Sequence, residues 1–171
     1  MKASPKALKE PDNVLFRIQR GLVGFVSYLT ACEMKAAYSE YVLYEPILRI
    51  MMASGYSVSC ECPFPLVLQP KKKKGDHKRI DFVAKKAQRQ LALEVKWPKK
   101  SRVNVRTDYE KLLAFQNKHP DSHCFLCVFG QWNHTKNLTL SGGQFKQRLE
   151  PLYAYWKATQ YGCRIYELNA A

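Results

Sequence analysis

The stretch RIDFVAKKAQRQLALEVKW, residues 79–97, alternates apolar and polar side chains twice, with a break at Ala87-Gln88. A period of two is the signature of a half-buried strand. Two such runs joined by a short polar break read as an antiparallel hairpin. With Ala87-Gln88 as a tight turn, the facing pairs are Ala84 with Leu91, Phe82 with Leu93, Asp81 with Glu94, and Ile80 with Val95. Ala84, Phe82, Ile80, Leu91, Leu93 and Val95 then share one face. Asp81, Val83, Glu94 and Lys96 share the other. The turn residues are not ideal for a two-residue loop, so a bulged or longer connection stays open.

Working outward, residues 1–12 read as a loose basic arm, and Val14 to Leu29 as a helix. Thr30-Ala-Cys-Glu33 has the form of a capping box. It predicts a second helix through Tyr38, Tyr41, Tyr44, Leu48 and Met51 to Ala53, ended by Gly55 and kinked or reset by Pro46. Tyr56 to Phe64 is strand-like, after which Pro63, Pro65 and Pro70 confine the chain to an edge or loop. Thr107-Asp-Tyr-Glu110 forms a second capping box, opening a helix with Leu112, Leu113 and Phe115 that ends near His119-Pro120. Cys124 to Phe129 is an unbroken apolar run and predicts a buried central strand. Phe145 to Thr159 reads as an amphipathic helix restarted at Pro151, and Cys163 to Leu168 as a short last strand. Gly142-Gly143 marks a turn. The order predicts an α/β fold, a mixed central sheet flanked by helices within one domain over residues 13–171.

Composition bounds the function. The 171 residues suit one domain, with 46% hydrophobic side chains and about 70% of the unfolded surface available for burial. Neither a disulfide nor a structural metal is required. Against 14 Asp plus Glu stand 28 Lys plus Arg, a net charge of +14, which favours a polyanionic partner. Cys124 to Phe129 is too short to cross a bilayer, and the basic runs lie in loops, so no membrane partner is expected. Met1 to Leu15 lacks a charged-then-apolar leader, which predicts a reducing, cytoplasmic setting, nucleoid-associated in a bacterium. The six cysteines then read as free thiols; Cys60, Cys62, Cys124 and Cys127 fall in strand-like sequence, where core positions outweigh a zinc site. His77, His119, His123 and His134 share no face and receive no catalytic role.

Two carboxylates on facing strand positions repel unless a cation lies between them. Hard oxygen donors suit Mg²⁺ or Mn²⁺, and a third acid, Glu40 or Glu45, comes from the preceding helix. Phosphodiester cleavage uses such a set: the metal offsets phosphate charge and acidifies a water, while Lys96 orients or deprotonates that water. Taken alone, the acid-x12-E-x-K spacing has little weight, because strand-end acids usually face solvent. The surroundings add to it. Between Lys71 and Arg106 stand 14 Lys or Arg against Asp76, Asp81 and Glu94, a net of +11 in 36 residues. A substrate with many phosphates accounts for both the acids and the charge around them.

Arg79-Ile-Asp81-Phe-Val followed by Leu93-Glu94-Val-Lys96 resembles the PD-(D/E)xK nuclease superfamily, the restriction-endonuclease-like fold. The resemblance extends from Tyr38 to Phe129, with Ser39-Glu40 through Gly55-Tyr56 similar to the first helix and its glycine exit, and Thr107 to Leu112 similar to the helix after the E-x-K strand. Isoleucine precedes the first acid where proline is frequent. The resemblance implies a Mg²⁺- or Mn²⁺-dependent nuclease, most simply an endodeoxyribonuclease, working as a homodimer or within a larger nuclease complex. It implies metal ligation by Asp81, Glu94, the Val95 carbonyl and a helical acid. Separation from Gly55 favours Glu40 over Glu45 for that acid.

Lys99, Lys100, Arg102 and Arg106 follow the E-x-K strand and are the foremost candidate phosphate contacts. Lys71, Lys72, Lys73, Lys74 and Lys78 form a second basic approach, and Lys111 is placed to reach a phosphate. Trp97 reads as packing on a helix rather than stacking on a base. DNA is the expected partner by resemblance; charge alone would serve RNA equally. The alternatives are a non-catalytic nucleic-acid-binding subunit that retains the fold and a basic structural protein of nucleic-acid assemblies.

Overall fold

A computed structural model describes residues 9–33, 40–63, 79–156 and 158–169. In chain order its elements are α1 (Asp12–Ala31), a 3-10 turn (Glu40–Leu43), α2 (Tyr44–Ala53), β1 (Ser57–Pro63), β2 (Arg79–Lys86), β3 (Arg89–Lys96), β4 (Arg102–Asn104) and α3 (Arg106–Lys118). They continue with β5 (His123–Gln131), a single helical turn α4 (Trp132–Thr135), β6 (Thr139–Ser141), β7 (Phe145–Gln147), β8 (Leu152–Trp156) and β9 (Thr159–Leu168). The main sheet runs β1-β2-β3-β5-β9-β7, with β8 paired to the other half of β9. It is mixed: β3 and β5 are parallel and the other pairs antiparallel. Parallel neighbours require a crossover, which α3 supplies. β4 and β6 form a separate two-stranded ribbon.

The hairpin has the register its alternation predicts from the turn as far as Phe82 and Leu93, whereas the expected facing pairs Asp81–Glu94 and Ile80–Val95 are not part of the ladder. Phe82 opposes Leu93 and Ala84 opposes Leu91, around a turn in which Ala87 takes a left-handed φ of 52°. Phe82, Ala84, Leu91, Leu93 and Val95 join the main core, which the α1 side chains Leu15, Ile18 and Leu22 share with Ile47 and Met51 of α2. Ile80 departs from the expected face. It is buried instead with Ala92, Leu112 and Phe115, on the α3 side of the sheet. The change occurs where Glu61 of the adjoining β1 has a φ of 51°, between the pairs Cys60–Phe82 and Cys62–Ile80.

Four helix expectations are corrected. Thr30 opens no helix: α1 runs through it to Ala31. Of the second helical stretch, residues 34–39 lie outside the described residues, and the remainder is the 3-10 turn followed by α2, with Pro46 in the first turn of α2, where its missing N–H costs nothing. Gly55 does end α2, at a φ of 83°. Thr107 lies inside α3; Asn104 Oδ1 instead accepts the Arg106 N–H at 3.0 Å. The expected helix over Phe145 to Thr159 is strand β7, a connection and strand β8. The final strand is correspondingly longer, Thr159–Leu168. The aromatic side chains Tyr153 and Tyr155 at alternate positions, and the long β9 offering backbone partners to both pieces, prevail there over a helical reading.

Of the basic arm, residues 1–8 lie outside the described residues, but Glu10 is tied to the fold: its carboxylate accepts the Tyr56 hydroxyl at 3.2 Å. Among the described residues no helix is long and apolar enough to cross a membrane.

Candidate active site

Residues two apart on a strand point the same way, so Glu94 and Lys96 of β3 both face α3. On α3, Asp108 and Lys111 are three apart and face back toward the sheet. Lys111 Nζ donates to Glu94 Oε2 at 2.6 Å and to the Arg79 carbonyl at 2.9 Å. It also lies 3.5 Å from Asp108 Oδ1, which is 3.3 Å from Lys96 Nζ. Two acids and two lysines thus alternate along one chain of contacts. Glu94 is 1% exposed, a depth at which a charge requires a partner.

Burial first, and the nearby Asp81 charge second, push the Glu94 carboxyl up, against the pull of Lys111, to about 9. Burial lowers Lys96, but Asp108 and Glu40 more than offset it and the ammonium is held above its ordinary range. Lys96 is therefore a cation at neutral pH.

Asp81 reaches β3 by another route. Its Oδ2 accepts the Val95 N–H at 2.7 Å, just beyond the last regular hairpin pair. The N–H and C=O of one strand residue lie along the same edge, so the Val95 carbonyl faces β2 as well. On the other side of Asp81 lies Tyr44, which donates to Glu61 Oε1 at 3.0 Å. Burial, then hydrogen bonding to Asp81 and Glu61, raises the Tyr44 hydroxyl far above its ordinary value and keeps it a donor.

The two candidate helical acids separate clearly. Glu40 Oε1 accepts the Trp97 N–H at 3.1 Å, at the end of β3 beside Lys96. Glu45 points outward and pairs with Arg49 on its own helix. Asp81 and Glu40 thus meet the C-terminal end of β3 through its backbone N–H groups, Asp81 beside Tyr44, whereas Glu94 and Lys96 face Lys111 and Asp108 of α3.

Lys111 is a correction. It is buried in the ion-pair chain and is not an exposed phosphate contact. Asp108, assigned no role from sequence, is likewise a buried partner of two lysines. A signal for both was present: 108, 111, 112 and 115 follow the 3.6 period of the buried stripe that contains Leu112 and Phe115. Lys99, Lys100, Arg102 and Arg106 are exposed as expected, Arg106 with its guanidinium 3.1 Å from Glu110. Lys71, Lys72, Lys73, Lys74 and Lys78 lie outside the described residues. Trp97 packs against Phe129 and Tyr161, with ring centroids 5.5 and 6.1 Å away. The cysteine pairs do not converge, since β1 and β5 are three strand spacings apart, about 14 Å.

Glu94 Oε1 tests whether a cation suits these residues. It is buried and has no hydrogen-bond partner among the described residues, an arrangement that is costly unless a donor, a water or a cation meets it. The nearby donors, Asp81 and the Val95 carbonyl, are hard oxygens of the type that Mg²⁺ and Mn²⁺ select, and Mg²⁺ commonly takes only one or two carboxylates. The residues present fit such an ion, although among the described residues no three acidic, cysteine or histidine side chains are grouped tightly enough to hold one by themselves. No protein-family model and no curated protein matches the chain.

Proposed function

We propose that the chain is a metal-dependent nuclease that cleaves phosphodiester bonds, with DNA as its substrate. The observation that carries this reading is the buried Glu94 Oε1, without a hydrogen-bond partner among the described residues, in an acid–lysine cluster on the strand that leads into the exposed basic stretch Lys99–Arg106. The element order agrees with it: a helical acid, a hairpin with one acid on β2 and E-x-K on β3, then the α3 crossover to parallel β5. That is the arrangement implied by the resemblance to the restriction-endonuclease-like fold.

In this reading Asp81, Glu94 and the Val95 carbonyl hold Mg²⁺ or Mn²⁺. When bound, the ion offsets phosphate charge and lowers the pKa of a water. Lys96, kept protonated by Asp108 and Glu40, donates to a phosphate oxygen or orients the water; it does not serve as a base. Glu40 fixes the end of β3 through the Trp97 N–H. Lys111 holds Glu94 in place from α3. Lys99, Lys100, Arg102 and Arg106 contact the phosphate backbone, which confers affinity without reading sequence.

The test is cleavage of linear, nicked, branched and single-stranded DNA and of RNA, in Mg²⁺, in Mn²⁺ and in chelator. Metal-dependent cleavage lost in Asp81→Ala and in Lys96→Ala is the expected result. Binding without cleavage in every condition overturns it and assigns the chain to the accessory-subunit alternative. Lys111 already occupying Glu94 Oε2 is the feature that favours that second reading.

A further inference from the structure

β5 is parallel to β3, so its far end lies beside the end of the E-x-K strand. Lys96 pairs with Val128, and a side chain on Gly130 would meet Pro98 at 3.1 Å. The contact continues outward, with the Ser101 hydroxyl donating to the Asn133 carbonyl at 3.5 Å and the Thr139 N–H donating to the Ser101 carbonyl at 2.9 Å. The basic loop after Lys96 is therefore docked against the segment that opens with Trp132.

That segment bears an unusual surface. Tyr153 and Tyr155, two apart on β8, are 55% and 67% exposed. Tyr153 lies 5.3 Å from the Trp132 ring and 6.5 Å from Tyr155. The Arg164 guanidinium sits 5.6 Å from the Trp132 ring centroid. Beside them is a cleft of about 400 Å³ lined by Gln131, Trp132, Asn133, Lys136, Tyr155 and Gln160, a volume within the range of small-ligand sites. Residues 122–149 and 151–166 contain neither Asp nor Glu. Exposed tyrosine faces, three side-chain amides and a lysine in a cleft lined by no acid match one chemistry: a flat base that stacks, a base edge that exchanges hydrogen bonds, and a phosphate.

We infer that this cleft takes an unpaired nucleobase, so that the preferred ligand is a strand with bases free of the duplex. The inference rests on the nucleic-acid reading above and adds a substrate class to it. Phosphates meet Lys99, Lys100 and Lys136, while a base stacks on Tyr155.

Fluorescence anisotropy in chelator tests this without cleavage. The probes are an oligothymidylate of about 20 nucleotides, long enough for one binding site, an abasic strand of equal length, and a duplex. The oligothymidylate is expected to bind about tenfold tighter than the abasic strand, the low end for one stacked base. Tyr155→Ala is expected to remove that difference and leave abasic binding unchanged, while Tyr155→Phe retains it. Tyr155 is exposed on a strand paired only with β9 among the described residues, and a thermal melt verifies the fold of each variant. Equal affinity for the two single strands overturns the inference, as does an equal loss on both in Tyr155→Ala. Base-dependent binding with no cleavage in metal sinks the nuclease reading alone; cleavage with base-independent binding sinks this inference alone.

Discussion

Lys111 Nζ stands 2.6 Å from Glu94 Oε2, so the glutamate of the E-x-K strand is held by the helix that follows it. The helix is both the crossover between β3 and β5 and the source of the cation that keeps a buried acid in position. Removing the cation while leaving the acid is the costly change. Lys111→Met is expected to destabilise the fold by about 3–5 kcal/mol at alkaline pH, the range for breaking a buried pair. Urea unfolding measures it, and Lys111→Met with Glu94→Gln together recover part of the loss.

Glu94 also sets a pH dependence. Its carboxyl rises from an ordinary 4.5 to about 9 in the folded chain, so the folded state retains a proton that the unfolded state releases. The Glu94 contribution is complete below the lower value and is lost as pH rises through the upper one. Unfolding free energy across pH 5 to 9 is therefore expected to decline less steeply in Glu94→Gln than in the parent. An unchanged slope refutes this.

Lys96 acts as a cation. Lys96→Ala is expected to lower metal-dependent cleavage by about a hundredfold or more, and Lys96→Arg to keep a measurable part of it, because arginine preserves the charge but cannot act as a base. An arginine variant as inactive as the alanine one contradicts this role.

The helical acids give a paired comparison. Glu40→Gln is expected to reduce cleavage and to lower the Lys96 pKa, a change visible to NMR of the labelled lysine. Glu45→Gln, on the outer face with Arg49, leaves both within error.

In the nuclease reading, Lys99 and Lys100 supply the salt dependence. Replacing both with alanine should weaken duplex and single-strand binding alike. It should also reduce the slope of log affinity against log salt by about two, one for each phosphate that is no longer neutralised. A weakening confined to one sequence shows base readout instead.

The hairpin was legible because its signal is strictly local: alternation fixes which side chains share a face, and a short turn fixes the partner strand. Phe82 and Leu93 followed directly. Ile80 did not, since its face depends on the conformation of Glu61 on another strand. Phe145 to Thr159 misled because its apolar residues satisfy a helical period over short windows, while the β9 backbone that captures Phe145–Gln147 and Leu152–Trp156 comes later in the chain. Glu94 and Lys96 were visible in the E-x-K spacing, whereas the charge balance around them came from Asp108 and Lys111. Their position on the buried stripe of α3 shows that they are core residues, but the partners they meet depend on how α3 crosses the sheet. Glu40 and Glu45 differ by little over one helical turn, and the 3-10 geometry at Glu40–Leu43 separates their directions.

The exposed Ala87-Gln88 turn closes the hairpin at the end remote from Glu94, about six strand residues or roughly 20 Å away. It offers a place to graft a fluorophore or an affinity tag in mid-chain. A label there would report on the hairpin while leaving the acid–lysine cluster at the opposite tip untouched.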